Sequence, residues 1–345
     1  MTNRYYTTVI FGLFIAAQII LVALSIAMGS ISIPIESLFE MLLFKLDFLS
    51  ETKVSTGHQY VIEHIRFPRT IFGIIIGASL SVAGAMMQGL FRNPLADPGL
   101  LGVSSGAALG AAVVIVLGFS VPFAPALTLP ISAFLGGIIA TVLVMRLSFT
   151  GAKANVSSML LAGIAINAIC GACTGLLVYI SNDEQLRTLT FWTMGSLGAA
   201  NWANLPYVFV LSFCPVFIAL GLSRSINAML LGESEAMLLG VNVEQIKVLI
   251  VVLVCIMVGT CVALTGLIGF VGLVVPHLCR LIFGPDNRKV ILGSIFLGGN
   301  ILLGADIISR TIVSPAELPI GIVTSIVGGP FFLSLLFSRK HLGGL

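Results

Sequence analysis

The sequence predicts an all-α polytopic membrane protein with about ten transmembrane helices, and three observations carry that prediction. Hydrophobic residues (AVILMFWYC) fill 58% of the 345 positions, charged residues only 9%, and the mean hydropathy is +1.12. A soluble domain carries roughly 25% charged residues, so a water-solvated surface over most of the chain is excluded. Uncharged runs recur along the whole length, and most are long enough for the roughly 20 residues that a membrane-crossing helix needs. The 37 glycines are the third observation, because small residues let lipid-embedded helices approach closely. Length alone would allow two soluble domains; the runs instead make 1–345 a single transmembrane domain.

The first run predicts a span over 8–33. It is too long for the apolar core of a signal peptide and has no small-residue cleavage site behind it, so it is retained. Spans follow at 68–90 and 97–118, at 124–147 after the break near Pro122, Pro125 and Pro130, and at 156–181. The segment 188–202 is apolar but interrupted by Gly195 and Gly198, and it follows the charged patch Asp183, Glu184 and Arg187. It predicts a short helix at the outer face, with Trp192 and Trp202 as interfacial anchors. The last five spans are placed at 204–222, 246–267, 271–284, 289–308 and 319–337. Gly73 with Gly77, Gly102 with Gly106 and Gly110, and Gly171 with Gly175 make small faces at four-residue spacing, which predicts tight helix packing.

Ten spans put both termini on one side, and the excess of Lys and Arg marks that side as cytoplasmic. Loops on it carry Arg4, Arg92, Arg146, Lys153, Arg224, Lys247, Arg280, Arg288, Lys289, Arg339 and Lys340, which are 11 of the 17 basic residues. Lys45, Lys53, Arg66, Arg69, Arg187 and Arg310 fall outside. The net charge of +3 is dispersed, with no Lys/Arg cluster, so nucleic acid is not a partner.

All six cysteines lie in apolar runs and read as small hydrophobes. Cys170 and Cys173 form a C-x-x-C, but among Gly171, Ala172, Thr174 and Gly175 the pair reads as packing and not as metal or redox chemistry. His277 reads as a structural hydrogen-bonding group in preference to a proton relay. No zinc-ligand spacing, carboxylate pair or nucleophile with a base is seen, so no catalytic residue and no metal site is expected. The rival class is an ion-coupled secondary transporter, whose mark is a carboxylate inside a span; the charges here cluster at span ends. An unpartnered channel is a second rival. No G-x-x-x-x-G-K-[ST] loop occurs, so ATP, if it drives transport, is bound by another subunit.

Four segments follow one family pattern in order. The first runs from Arg66-Phe67-Pro68-Arg69-Thr70 through Gly77-Ala78-Ser79-Leu80 and Gln88 to Arg92-Asn93-Pro94-Leu95-Ala96-Asp97-Pro98 and Gly102-Val103-Ser104-Ser105-Gly106-Ala107. The second is Leu231-Gly232-Glu233-Ser234-Glu235-Ala236, ending in Leu239-Gly240-Val241. The third is Gly266-Leu267-Ile268-Gly269-Phe270-Val271-Gly272-Leu273-Val274-Val275-Pro276-His277, with Arg280. The fourth joins Ala305-Asp306 and Arg310 to Glu317-Leu318-Pro319-Ile320-Gly321 and Gly328-Gly329-Pro330-Phe331.

Together they resemble the permease subunits of type II ABC importers, the FecCD/BtuC-like family that takes up iron siderophores, haem and cobalamin. The resemblance implies a BtuC-like fold in the bacterial cytoplasmic (inner) membrane, a homodimer with the pathway at its interface, two cytoplasmic ABC ATPase subunits holding ATP and Mg, and an external or periplasmic binding protein. No cofactor is expected on this chain itself.

Within the loop 226–243, the resemblance makes Gly232, Glu233, Glu235, Ala236, Met237, Leu239 and Gly240 the coupling helix that sits in the ATPase. An apolar helix face offered to water also suits a groove on a partner, and a helix lying on the membrane surface is the other reading. Arg66, Arg69 and Arg310 are expected to face glutamates of the binding protein, arginine being suited to carboxylates. Local pairing, with Glu63 near Arg66 and Asp306 four residues before Arg310, is the alternative.

The family places a cytoplasmic gate at Asn93, Pro94 and Leu95, with Thr150 a further candidate; plain tight turns would explain both loops. The segment 183–197, with Gln185-Leu186-Arg187 and Leu189-Thr190-Phe191-Trp192, resembles haem permeases, making haem the expected transported ligand and ferric siderophores or cobalamin the alternatives.

Overall fold

The computed structural model describes residues 4–29, 54–122, 124–151 and 153–342, with isolated positions between 33 and 44. Lys45 and Lys53, assigned above to outer loops, lie outside the described residues. The helices in chain order are α1 (Arg4–Ala27), α2 (Thr56–Leu90), α3 (Val103–Leu117), α4 (Pro125–Ser148), α5 (Val156–Ile180), α6 (Asp183–Thr193), α7 (Leu205–Leu231), α8 (Glu233–Leu238), α9 (Val243–Thr265), α10 (Val271–Phe283), α11 (Asn287–Thr311) and α12 (Ile320–Leu342). Between α4 and α5 a two-residue hairpin pairs β1 (Phe149–Thr150) with β2 (Lys153–Ala154) in antiparallel register.

Among the described residues, seven helices, α1, α2, α4, α5, α7, α9 and α11, are long and apolar enough to cross a membrane. The shorter apolar helices α3, α10 and the first part of α12 occupy the remaining predicted spans. Several boundaries differ from the sequence reading, each for a physical reason. The span placed at 68–90 belongs to a 35-residue helix that starts at Thr56 and takes a π turn over Val61–Arg66. Charge does not end it, because Arg66 and Arg69 find partners inside the fold. The span placed at 97–118 becomes helical only at Val103; Asp97 instead caps the 3₁₀ turn Pro98–Leu101 by accepting from the Gly99 N–H at 2.7 Å.

The outer helix expected at 188–202 is α6, which starts earlier and stops sooner. A capping box between Asn182 and Gln185 nucleates it, and Gly195, with φ +73°, follows its end. α10 has 13 residues, about 20 Å, too short to cross the ~30 Å hydrocarbon core alone. The non-helical stretch 266–270 precedes it and is packed against Trp192, Gly195 and Gly321, the condition under which irregular backbone survives in a membrane.

α2 is the central helix and packs against α9, α10 and α11. Backbone meets backbone where Gly77 faces Gly298 and Gly84 faces Gly272, and again where Gly106 of α3 meets Gly136 of α4. Between lipid-embedded helices this close packing supplies what the hydrophobic effect cannot. Gly171 and Gly175 of α5 behave differently from the sequence expectation: an added Cβ at either would meet nothing in this chain within 4 Å. The bundle thus has two ends, named here by their charged residues. α2 starts at the arginine end, with Arg66 and Arg69, and has Gln88 in its last turn; α9 starts at the lysine end, with Lys247.

Candidate functional site

At the arginine end, three guanidiniums and two carboxylates form one network. Arg66 donates from Nη1 to the carbonyls of Ile26 (2.6 Å) and Ala27 (2.7 Å), and Arg310 donates to those of Ser25 and Met28, both at 3.2 Å. Both thereby satisfy acceptors left open at the C-terminus of α1, where cations are favoured. Arg69 uses two faces of its fork: Nε and Nη2 donate to Asp306 Oδ1 at 3.0 and 2.9 Å, while Nη1 and Nη2 donate to the two oxygens of Glu317 at 3.0 and 2.8 Å. Arg310 Nε lies 3.0 Å from Asp306 Oδ2, an ion contact out of line for a hydrogen bond.

The sequence reading put these arginines on loops facing another protein. The structure instead buries all three, and the four-residue Asp306–Arg310 pair is present. It also places a carboxylate inside a long helix, where none was expected: Asp306 is 0% exposed, held by two arginines. The exposed member of the network is Glu317, with 45% of its side chain accessible. An open recess of about 460 Å³ lies at the same end, lined by Thr193, Met194, Leu267, Gly269, Gly321 and Ile322.

At the lysine end, α8 has the short, capped form the sequence suggested. Gly232 (φ +136°) leads into it, and Gly240 (φ +82°) closes it, with its N–H bonded to Met237 O and the Val241 N–H to Ala236 O. Ala236 is buried beneath the helix, whereas Met237, Leu238 and Leu239 face outward, Leu238 with 88% of its surface accessible. Glu235 folds over Gly232, and Glu233 reaches the ammonium of Lys247.

Residues 91–97 form a tight turn after α2. Asn93 Oδ1 accepts from the Leu95 N–H at 2.9 Å, Asn93 O accepts from the Ala96 N–H at 3.1 Å, Pro94 sits at the corner, and Leu95 is exposed. The backbone of Thr150 lies in the β1–β2 hairpin beside Gly151 (φ +65°); its side chain is outside the described residues. Both loops have the plain-turn geometry.

The sequence reading missed the polar groups that tie this end together. Arg280 donates to Gln88 Oε1 (3.1 Å) and Asn287 Oδ1 (2.8 Å), and Asn227 Oδ1 accepts from the backbone and side-chain nitrogens of Asn287, both at 2.8 Å. Asn227 in turn donates to Asp286 at 2.9 Å, so the ends of α2 and α7 are fastened to the α10–α11 turn. Lys247, counted above as a loop cation, is buried in α9. The available signal was an unpaired-looking lysine at the edge of an apolar run, five residues after the Asn242 cap. Among the described residues, no group of three His, Cys, Asp or Glu is placed to hold a metal ion.

The model of the FecCD transport family matches residues 17–338. The chain is 42% identical over 344 residues to the hemin transport system permease protein HmuU of Yersinia pestis, covering 99% of each chain. It is 40% identical over 290 residues to the vitamin B12 import system permease protein BtuC of Klebsiella pneumoniae, covering 84% of this chain and 86% of that one. Among solved structures, it superposes with a TM-score of 0.83 on a transporter assigned to the metal-chelate ABC type in an inward-facing conformation. That match is at 32% identity and covers 96% of this chain and 99% of that one.

Proposed function

We propose a haem permease on the premise that this chain belongs to the FecCD transport family. It is a permease subunit of an ABC importer, not the enzyme that hydrolyses ATP. The observation that carries haem is the full-length match to the hemin permease, which extends over 99% of both chains, whereas the vitamin B12 permease aligns over 84% of this one. The Gln-Leu-Arg and Leu-Thr-Phe-Trp segment of α6 agrees with that choice.

In this reading the chain sits in the bacterial cytoplasmic membrane with ten crossings and both termini in the cytoplasm, so the lysine end is cytoplasmic. Two copies pair, and the support is that α5 leaves Leu161, Ile164, Leu176 and Tyr179 uncovered by its own chain. α8 presents Met237, Leu238 and Leu239 to a cytoplasmic ATPase, an apolar face suited to a groove. The loops at Asn93, Pro94, Leu95 and Thr150 gate the cytoplasmic exit.

Binding-protein docking uses the arginine end. Because Arg66, Arg69 and Arg310 are already engaged, a partner's carboxylate reaches Arg69 by taking the place of the exposed Glu317, which leaves Asp306 as the permanent counterion. ATP binding then closes the cytoplasmic partners and switches access from one end to the other. The test is ATP hydrolysis by the assembled transporter in the presence of a binding protein loaded with haem, ferric siderophore or cobalamin. Stimulation by the haem form supports the proposal, and stimulation by the cobalamin form alone replaces the substrate while keeping the family.

A further inference from the structure

We propose that Lys247 is a positioning residue that links α8 to the β1–β2 hairpin and to the start of α5. The proposal rests on the reading that α8 docks the ATPase.

Lysine is almost never fully buried unless it is paired, and Lys247 is 1% exposed. Its ammonium has three donors and no acceptor, and each has a partner on a different piece of chain. Nζ donates to Glu233 Oε2 at 2.7 Å, to Ala154 O at 2.8 Å and to Glu244 Oε1 at 3.1 Å. The other oxygen of Glu244 accepts from the Ala154 N–H at 2.7 Å. Ala154 is therefore gripped by both its N–H and its C=O.

Each arm leads to an element with a part in the cycle. Glu233 is the first residue of α8, the helix with the outward apolar face. Ala154 ends β2 and is followed directly by Asn155, the cap of α5, whose Oδ1 accepts from Ser157 and Ser158. α5 is the helix whose exposed flank awaits the second copy. A push on α8 thus reaches the hairpin and α5 through one ammonium, and the rigid start of α9 serves as the pivot. Two charge-assisted bonds and one to a carbonyl make the joint stiff, since such bonds are shorter and stronger than neutral ones. Cutting it leaves the part-exposed carboxylates of Glu233 and Glu244 without their cation but removes no surface that would touch the ATPase or the substrate.

The experiment uses the complete transporter, with its ATPase and binding protein, in proteoliposomes. It compares Lys247→Met, Lys247→Arg and Glu244→Gln, and it adds a spin label at Lys153→Cys, an exposed hairpin position. Lys247→Met is expected to assemble and hydrolyse ATP at a rate close to the parent, while substrate moved per ATP falls about tenfold, inside the 5–150-fold range of ordinary coupling between sites. Lys247→Arg restores most of the coupling. The label shifts on nucleotide binding in the parent and stays still in Lys247→Met.

Parental transport per ATP together with a normal label shift in Lys247→Met overturns the proposal. If Lys247→Met fails to assemble, Glu244→Gln decides in the same way, because it weakens the grip on Lys247 and Ala154 at a part-exposed side chain outside α8. A parent complex without ATP-dependent transport would instead refute the functional reading on which the proposal rests.

Discussion

Replacing Asp306 by Asn keeps the shape of the side chain and removes its charge from the centre of the arginine network. Two charge-assisted hydrogen bonds from Arg69, at 3.0 and 2.9 Å, and the 3.0 Å ion contact from Arg310 lose their anion. Removing one partner of a buried ion pair costs about 3–5 kcal/mol because it strands an uncompensated charge. Arg69 keeps its fork on Glu317, and Arg310 keeps the carbonyls at the end of α1, which places the expected loss near the lower limit, about 3 kcal/mol. Glu317→Gln breaks an interaction at a side chain that is 45% exposed, where ion pairs are worth about 1 kcal/mol or less. Thermal unfolding in one detergent, followed by a thiol-reactive dye at the buried Cys255, Cys261 and Cys279, ranks the two variants. Asp306→Asn should unfold at the lower temperature. Equal midpoints, or the reverse order, would refute the assignment of Asp306 as the buried counterion and Glu317 as the exchangeable one.

Gly84→Ala would set a methyl group 2.6 Å from the carbonyl carbon of Gly272, backbone against backbone, so α2 and α10 must part at a cost of about 1–3 kcal/mol. Gly171→Ala meets nothing within the chain and should leave the stability of the isolated subunit unchanged; the same unfolding assay compares them. Leu238→Asp should leave folding within about 0.5 kcal/mol of the parent yet weaken ATPase binding roughly 30-fold, the loss of about 2 kcal/mol that marks an interface hot spot. Immobilised-subunit titration with the ATPase measures it. Asn287→Ala removes one acceptor of the Arg280 guanidinium and the side-chain link to Asn227 while keeping the backbone N–H link, and it should cost about 1–3 kcal/mol, read as earlier unfolding without loss of the α8 surface.

The apolar helices and their order were legible because hydropathy is set by composition along the chain. Gly84 against Gly272 and Gly106 against Gly136 explain why glycine is so abundant. The short helix α8 was legible for a local reason: Gly232, Gly240 and the three exposed apolar residues between them all act within one short segment. What escaped depended on partners far away in sequence. Arg69 looks like a loop residue until Asp306, 237 positions later, neutralises it, and the span boundary moves with that pairing. Lys247 looks solvated until Ala154 and Glu233 close over it. Gly171 and Gly175 carry the same four-residue spacing as the packed pairs, but spacing along one helix does not reveal whether a second helix lies against it. The extended stretch before α10 was unreadable for a related reason, since only its packing against Trp192 and Gly195 makes a non-helical segment tolerable inside the bundle.

Uptake into proteoliposomes that contain this chain and its ATPase, with haem delivered on its binding protein outside, tests the central claim most directly. The account predicts haem accumulation that requires ATP on the ATPase side and disappears when the ATPase is omitted. Haem uptake that continues without ATP, or follows an imposed proton or sodium gradient instead, would contradict it.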